Sequence, residues 1–163
     1  MKIVSNTGPL IGLAKIDRLP ILKDIASEIF IPPIVYRELL GKVGTESERI
    51  DRALTNFIRK VELNPLEPVI QEILRDLDEG ERQAIALASI LSEDVLLLMD
   101  DRAGRLAAEK LDIQTTGLIG VLLLAKEKGI LDSISSLIYE LRNQGYWISD
   151  EIANIARHLA NEK

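Results

Sequence analysis

Val95-Leu96-Leu97-Leu98-Met99-Asp100-Asp101 is the stretch on which the reading of the fold turns. An apolar run with no polar alternation reads as a strand covered on both faces, the pattern of a parallel sheet packed between helices. The carboxylates that end it then sit at the carboxyl edge of the sheet, where doubly wound folds place their functional crevice. Two more acidic positions are far away in sequence. Glu38 follows Phe30-Ile31-Pro32-Pro33-Ile34-Val35-Tyr36, and Asp78-Glu79-Gly80-Glu81 opens the helix-like Ala84-Ile85-Ala86-Leu87-Ala88. A parallel α/β fold can gather such groups at one edge, and clustered carboxylates bind hard cations such as Mg²⁺ or Mn²⁺. The remaining corner, after the first strand, holds Asn6 instead of an aspartate.

Working outward, Ile3-Val4-Ser5 reads as a first strand, followed by the turn-forming Asn6-Thr7-Gly8-Pro9, with Pro9 suited to the first turn of a helix. A helix over 19–25 precedes a strand at Ile29-Phe30-Ile31. Pro32-Pro33 stops that strand, and helical spacing resumes over 34–40. An exposed helix over 46–57, a weaker strand over 58–63 and a helix over 65–77 lead to the acidic stretch and a helix over 82–91. After the central strand come a helix over 102–111, a short strand at 113–115 and helices over 118–126, 133–143 and 150–160. Strands interleaved with helices imply a short, mainly parallel sheet flanked by helices, an α/β fold. With no internal repeat or linker, residues 1–163 read as a single domain.

Composition narrows the chemistry. The chain is 47% apolar, as expected for a compact globular protein. It has no cysteine, which excludes disulfides, zinc–thiolate sites and cysteine nucleophiles. His158 is the sole histidine, reads as a surface residue, and does not make a clustered ligand set. Met1-Lys2-Ile3-Val4-Ser5 is too short an apolar run for a signal peptide. The uncharged stretch over 113–125 falls short of the ~20 apolar residues of a membrane span. A cytoplasmic protein is therefore expected. The net charge of −6 disfavours indiscriminate nucleic-acid binding, although a local basic rim can still guide phosphates to a metal.

Each acidic residue also has an ordinary structural use. Asp78, Glu79 and Glu81 are placed to cap a helix N-terminus, and one of Asp100 and Asp101 can cap the helix that starts at Arg102. Glu38 can be a solvated neighbour of Arg37. Arg82 and Arg105 can be solvated helix residues. Aromatic residues are scarce, and Trp147 reads as a packing residue with a partner contact as the alternative, so base stacking has little visible support.

Four short motifs in the right order change the weight of these residues. The chain resembles the PIN-domain family, in particular its prokaryotic branch related to VapC-type toxins, and within it a sub-branch with asparagine at the first acidic position. Ile3-Val4-Ser5-Asn6-Thr7-Gly8-Pro9-Leu10-Ile11 is similar to the opening strand and its D-T-S-x-L-I signature, with Asn6 for the aspartate and Gly8 for the hydroxyl residue. Pro33-Ile34-Val35-Tyr36-Arg37-Glu38-Leu39 resembles the second motif, Glu81-Arg82-Gln83-Ala84-Ile85-Ala86-Leu87-Ala88 the third, and Leu97-Leu98-Met99-Asp100-Asp101-Arg102 the fourth. The resemblance covers roughly residues 1 to 125. It implies a three-layer PIN-like fold and an endoribonuclease dependent on Mg²⁺ or Mn²⁺, with a metal-activated water attacking RNA phosphodiesters. Glu38, Glu81 and Asp101 become the expected catalytic carboxylates and, with Asp100 and Asn6, the expected metal ligands. Thr7, Arg37, Arg82, Arg102 and Arg105 become the expected substrate contacts, with Lys15 another basic group nearby. The family likeness further implies a homodimer and inhibition by a small antitoxin protein. The helices after about residue 130 either cover the core or provide the dimer surface.

The alternative from another functional class is a catalytically weakened PIN-like module that binds a protein partner or RNA, a reading that Asn6 and Gly8 favour. A receiver-like signalling domain also uses an acidic pair at a strand end, but places it after the first strand, so the order here is wrong. Gly117 and Gly120 follow the last strand without completing a G-x-G-x-x-G dinucleotide signature.

Overall fold

The computed structural model describes residues 1–91 and 93–163. Among them are five strands and ten helices. The strands are β1 (Lys2–Ser5), β2 (Glu28–Ile31), β3 (Ile58–Lys60), β4 (Val95–Leu98) and β5 (Gln114–Thr116), all parallel, in the order β3-β2-β1-β4-β5. Ile3 pairs in register with Ile29 and Leu96, so β1 is central and its direct neighbours are distant in sequence.

Strand side chains alternate between two cores, as the period of two requires. Ile3, Ile29, Ile31 and Leu98 join one apolar cluster; Val4, Phe30, Leu97 and Met99 join the other. Both faces being apolar is why the runs show no polar alternation. The larger cluster is completed by α1 (Thr7–Lys15), α2 (Ile21–Ile25), α3 (Pro33–Leu40) and α4 (Thr45–Asn56), with α8 (Leu118–Glu127), α9 (Ser135–Asn143) and α10 (Asp150–Leu159). The smaller is completed by α5 (Pro68–Ile73), α6 (Glu79–Leu91) and α7 (Arg102–Lys110). The helices therefore form layers on the two sides of the sheet, an α/β PIN-like architecture.

Several boundaries differ from the sequence expectation, each for a local reason. Helix α2 begins at Ile21 because Pro20 occupies its N-cap. Helix α5 starts at Pro68, a proline in its first turn, and stops before Leu74, where the chain turns toward the acidic stretch. Strand β3 ends at Lys60, although Val61 N still donates to Ile31 O at 2.9 Å. Trp147 departs most: it is 81% exposed and is not a packing residue. His158 is exposed, as expected.

Candidate functional site

Asn6 is the first residue beyond β1, and its backbone N–H donates to Leu98 O at 3.0 Å, which ties it to the end of β4. It occupies the N-cap of α1 in an extended conformation, yet its side chain makes no capping hydrogen bond. The amide oxygen points instead toward Gly80, at the start of α6. A Cβ placed on Gly80 would lie 3.1 Å from Glu38 Oε1, 3.3 Å from Asn6 Oδ1 and 3.5 Å from Asp78 Oδ1. Three oxygens, from the N-cap of α1, from α3 and from the residue before α6, thus surround one spot that only a missing side chain leaves clear. Glu38 projects there from α3, and Thr7 Oγ1 donates to its Oε1 at 3.2 Å.

The acidic stretch is a reciprocal helix cap. Glu81 N donates to Asp78 Oδ1 at 2.8 Å and Asp78 N donates to Glu81 Oε2 at 3.2 Å, the arrangement of a capping box. Glu79 takes no part in the box and accepts from Gln83 Nε2 at 3.2 Å. Gln83 Oε1 in turn accepts from Ile34 N at 3.0 Å, which satisfies an N–H in the first turn of α3 and fixes α3 against α6. Capping does not exhaust the electrostatics. Burial raises the Glu81 carboxyl above the ordinary carboxylate range, with the charges of Asp78 and then Asp101 adding to it, against a lowering backbone hydrogen bond.

Asp100 and Asp101 diverge. Asp101 caps α7, its Oδ2 accepting from Gly104 N at 2.8 Å, and its charge acts on Glu81. Asp100 turns to the opposite side, where Oδ1 accepts from Leu118 N at 2.8 Å and Oδ2 accepts from the Tyr146 hydroxyl. Burial first, then the hydrogen bond to Asp100, pushes the Tyr146 phenol far above its usual value, so it remains a donor. Tyr146 is separated from Asp100 by 46 positions, so no local motif could have marked it.

The four arginines close to these motifs in sequence differ in exposure. Arg37 and Arg102 are exposed, Arg82 and Arg105 half-buried, and among the described residues none of the four makes an ion pair. Lys15 is used structurally, donating to Gln144 O at 3.1 Å. Arg102 and Arg105 line a cavity of about 960 Å³ that has Asp100 at its edge.

A family model described as a PIN domain matches residues 2–162. The chain belongs to the PIN-domain family. No curated protein matches it. PIN domains have nuclease-type function, commonly bind RNA and generally use divalent metal ions. The donor set of this PIN domain suits such an ion: the groups around Gly80 are all oxygens, and the crowding of negative charge at Glu81 is what a cation relieves. Among the described residues, no three carboxylate or histidine side chains already converge at metal-holding distance. Asp78, Glu81 and Asp101 are instead engaged with backbone N–H groups. No helix among the described residues is long and apolar enough to cross a membrane.

Proposed function

We propose that this PIN domain, taken as one unit over residues 1–163, is a divalent-metal-dependent endoribonuclease resembling the toxin of a toxin–antitoxin pair. In this reading it is cytoplasmic, works as a homodimer and is restrained by a small antitoxin protein. The observation that supports it most is the convergence of Glu38 Oε1, Asn6 Oδ1 and Asp78 Oδ1 on Gly80, beside a Glu81 whose carboxyl is raised by burial and by its acidic neighbours.

Glu38, Glu81 and Asp101 are the carboxylates assigned to hold the ion, with Asn6 as a neutral oxygen donor. Bound Mg²⁺ or Mn²⁺ supplies a water of lowered pKa and positive charge to polarise a phosphodiester. Thr7 orients Glu38 by donating to Oε1. The second oxygen of Asp101 is not the one that caps α7, which leaves it for the site. Asp100 is assigned to holding α8 and Tyr146 in place. Arg37, Arg82, Arg102 and Arg105 contact phosphates and set the strand's register without reading bases.

A catalytically weakened module that binds a protein partner or RNA is favoured by one feature, the neutral amide of Asn6 at the centre of the cluster. Mn²⁺-dependent cleavage of structured and single-stranded RNAs, run beside Glu38→Gln and Asn6→Asp, separates the two. Cleavage by the natural chain that is lost in Glu38→Gln is the expected result. Cleavage gained only in Asn6→Asp means a disabled site on a competent scaffold, and silence from all three favours the binding module.

A further inference from the structure

Trp147 is the chain's one tryptophan, and it is 81% exposed on a backbone fixed from both sides. Before it, half-buried Tyr146 donates to Asp100 Oδ2. After it, Ile148 is buried, and its carbonyl accepts from Arg142 Nε at 3.1 Å and Nη2 at 2.8 Å. The in–out–in alternation presents the indole to solvent with the backbone already ordered, so that a ligand stacking on it meets a preorganised surface. The indole lines the cavity of about 960 Å³ that also contains Arg102, Arg105 and Gly117. That volume lies near the top of the ~300–1,000 Å³ range of small-ligand pockets. Asp100 and Glu109 line the same cavity, whereas Glu38, Glu81 and Asp101 do not.

An exposed indole beside two guanidinium groups without ion-pair partners among the described residues matches a single nucleic-acid strand. Aromatic faces stack bases, and arginines hold phosphates. A duplex keeps its bases stacked on one another and offers no free face. Leu106 and Ile152 add apolar surface to the rim. The two arginines beside the indole, with Asp100 already engaged by Leu118 N and the Tyr146 hydroxyl, favour RNA over a protein partner as occupant.

We propose that Trp147 is a base-stacking platform for single-stranded RNA, with Arg102 and Arg105 holding the adjoining phosphates. The inference rests on the ribonuclease reading for its choice of ligand, but its test does not depend on cleavage.

In EDTA, a short 2′-O-methyl oligouridine that resists hydrolysis should quench the single tryptophan's fluorescence, and its abasic counterpart should not. Anisotropy of the labelled oligouridine should show binding weakened about tenfold to a hundredfold in Trp147→Ala and mostly retained in Trp147→Phe. Arg105→Ala should weaken the base-containing and abasic strands alike. Equal binding by Trp147→Ala and the natural chain overturns the proposal. So does a dimer that Trp147→Ala dissociates while RNA binding is unchanged, which makes the surface a protein interface. Failure of the nuclease reading looks different: quenching persists in a chain that cleaves no RNA.

Discussion

Gly80 and Glu81 carry the sharpest consequences at the level of single residues. An alanine methyl at Gly80 would meet Glu38 Oε1 at 3.1 Å and Asn6 Oδ1 at 3.3 Å, both ends of side chains that can yield. Helical alanine is otherwise favoured over glycine by about 1 kcal/mol. Gly80→Ala should therefore fold with a stability change within about 1 kcal/mol, yet displace the two oxygens and abolish any Mn²⁺-dependent rise in melting temperature. An undiminished Mn²⁺ response would show that the oxygens around Gly80 hold no ion. Glu81 makes the opposite separation. Its carboxyl binds a proton more tightly in the folded chain than in the unfolded one, so this group disfavours folding increasingly as pH rises above the ordinary carboxylate value of about 4.3. Glutamine keeps the capping bond from Asp78 N and removes the charge. In EDTA, Glu81→Gln should gain about 0.5–1 kcal/mol at neutral pH and little at pH below about 4. Urea unfolding at the two pH values checks this, and a loss of stability at neutral pH would refute the electrostatic account. The resemblance that singles out Glu38, Glu81 and Asp101 rests on short local motifs, so these residues could be proposed from sequence. The roles of Gly80, Gln83 and Tyr146 could not, because each depends on partners that only the tertiary fold brings near.

Among the secondary-structure elements, the N-terminus of α9 shows how the end of the described chain is fastened. Glu162 accepts from Ile134 N, Ser135 N, Ser133 Oγ, Ser135 Oγ and Lys126 Nζ, at 2.7 to 3.1 Å. Its side chain is 13% exposed, and Lys126 also donates to Ala160 O at 2.6 Å, so one cluster joins α8, α9 and the end of α10. Burial pushes the Glu162 carboxyl up, but the hydrogen bonds from Lys126, Ile134, Ser135 and Ser133 outweigh it and hold the group well below its ordinary range. The folded-state value is depressed, so the stabilisation is complete above the ordinary carboxylate value and is lost as pH falls below it. Glu162→Gln should cost about 2–3 kcal/mol at pH 7, shrinking in acid, as read by urea unfolding across pH. A difference independent of pH would mean that packing, not charge, is what the substitution removes. The central strands β1, β2 and β4 were readable because their apolar runs are covered on both faces; the edge strands β3 (Ile58–Lys60) and β5 (Gln114–Thr116) carry polar, partly exposed residues, and their bounds were less legible. Helix ends were also less legible: α5 and α2 are trimmed by where prolines fall and where the chain must turn, which periodicity does not encode. The fastening at Glu162 was invisible for the same reason as the Tyr146–Asp100 contact, since it joins residues far apart in sequence.

The whole molecule sets a limit on how RNA can be held. A net charge of −6 repels a polyanion at long range, so attraction must come from a few local cations. The rim proposed for the site offers Arg37, Arg82, Arg102 and Arg105, and other arginines are already committed: Arg49 to Asp17, Arg52 to Glu48, Arg59 to Glu28, Arg75 to Glu72 and Arg142 to Asp150. Each phosphate neutralised on a single strand contributes a slope of roughly −0.7 to the dependence of log affinity on log salt. Four contacts therefore give a slope no steeper than about −3. Affinity beyond what that electrostatic part provides must come from stacking, which salt barely touches. Binding of a single-stranded oligoribonucleotide should accordingly fall gently between low and physiological salt and level off, with the residual affinity removed by Trp147→Ala. A markedly steeper slope would mean that more cations engage the strand than this rim supplies, and that the path of the RNA runs over a different face of the sheet.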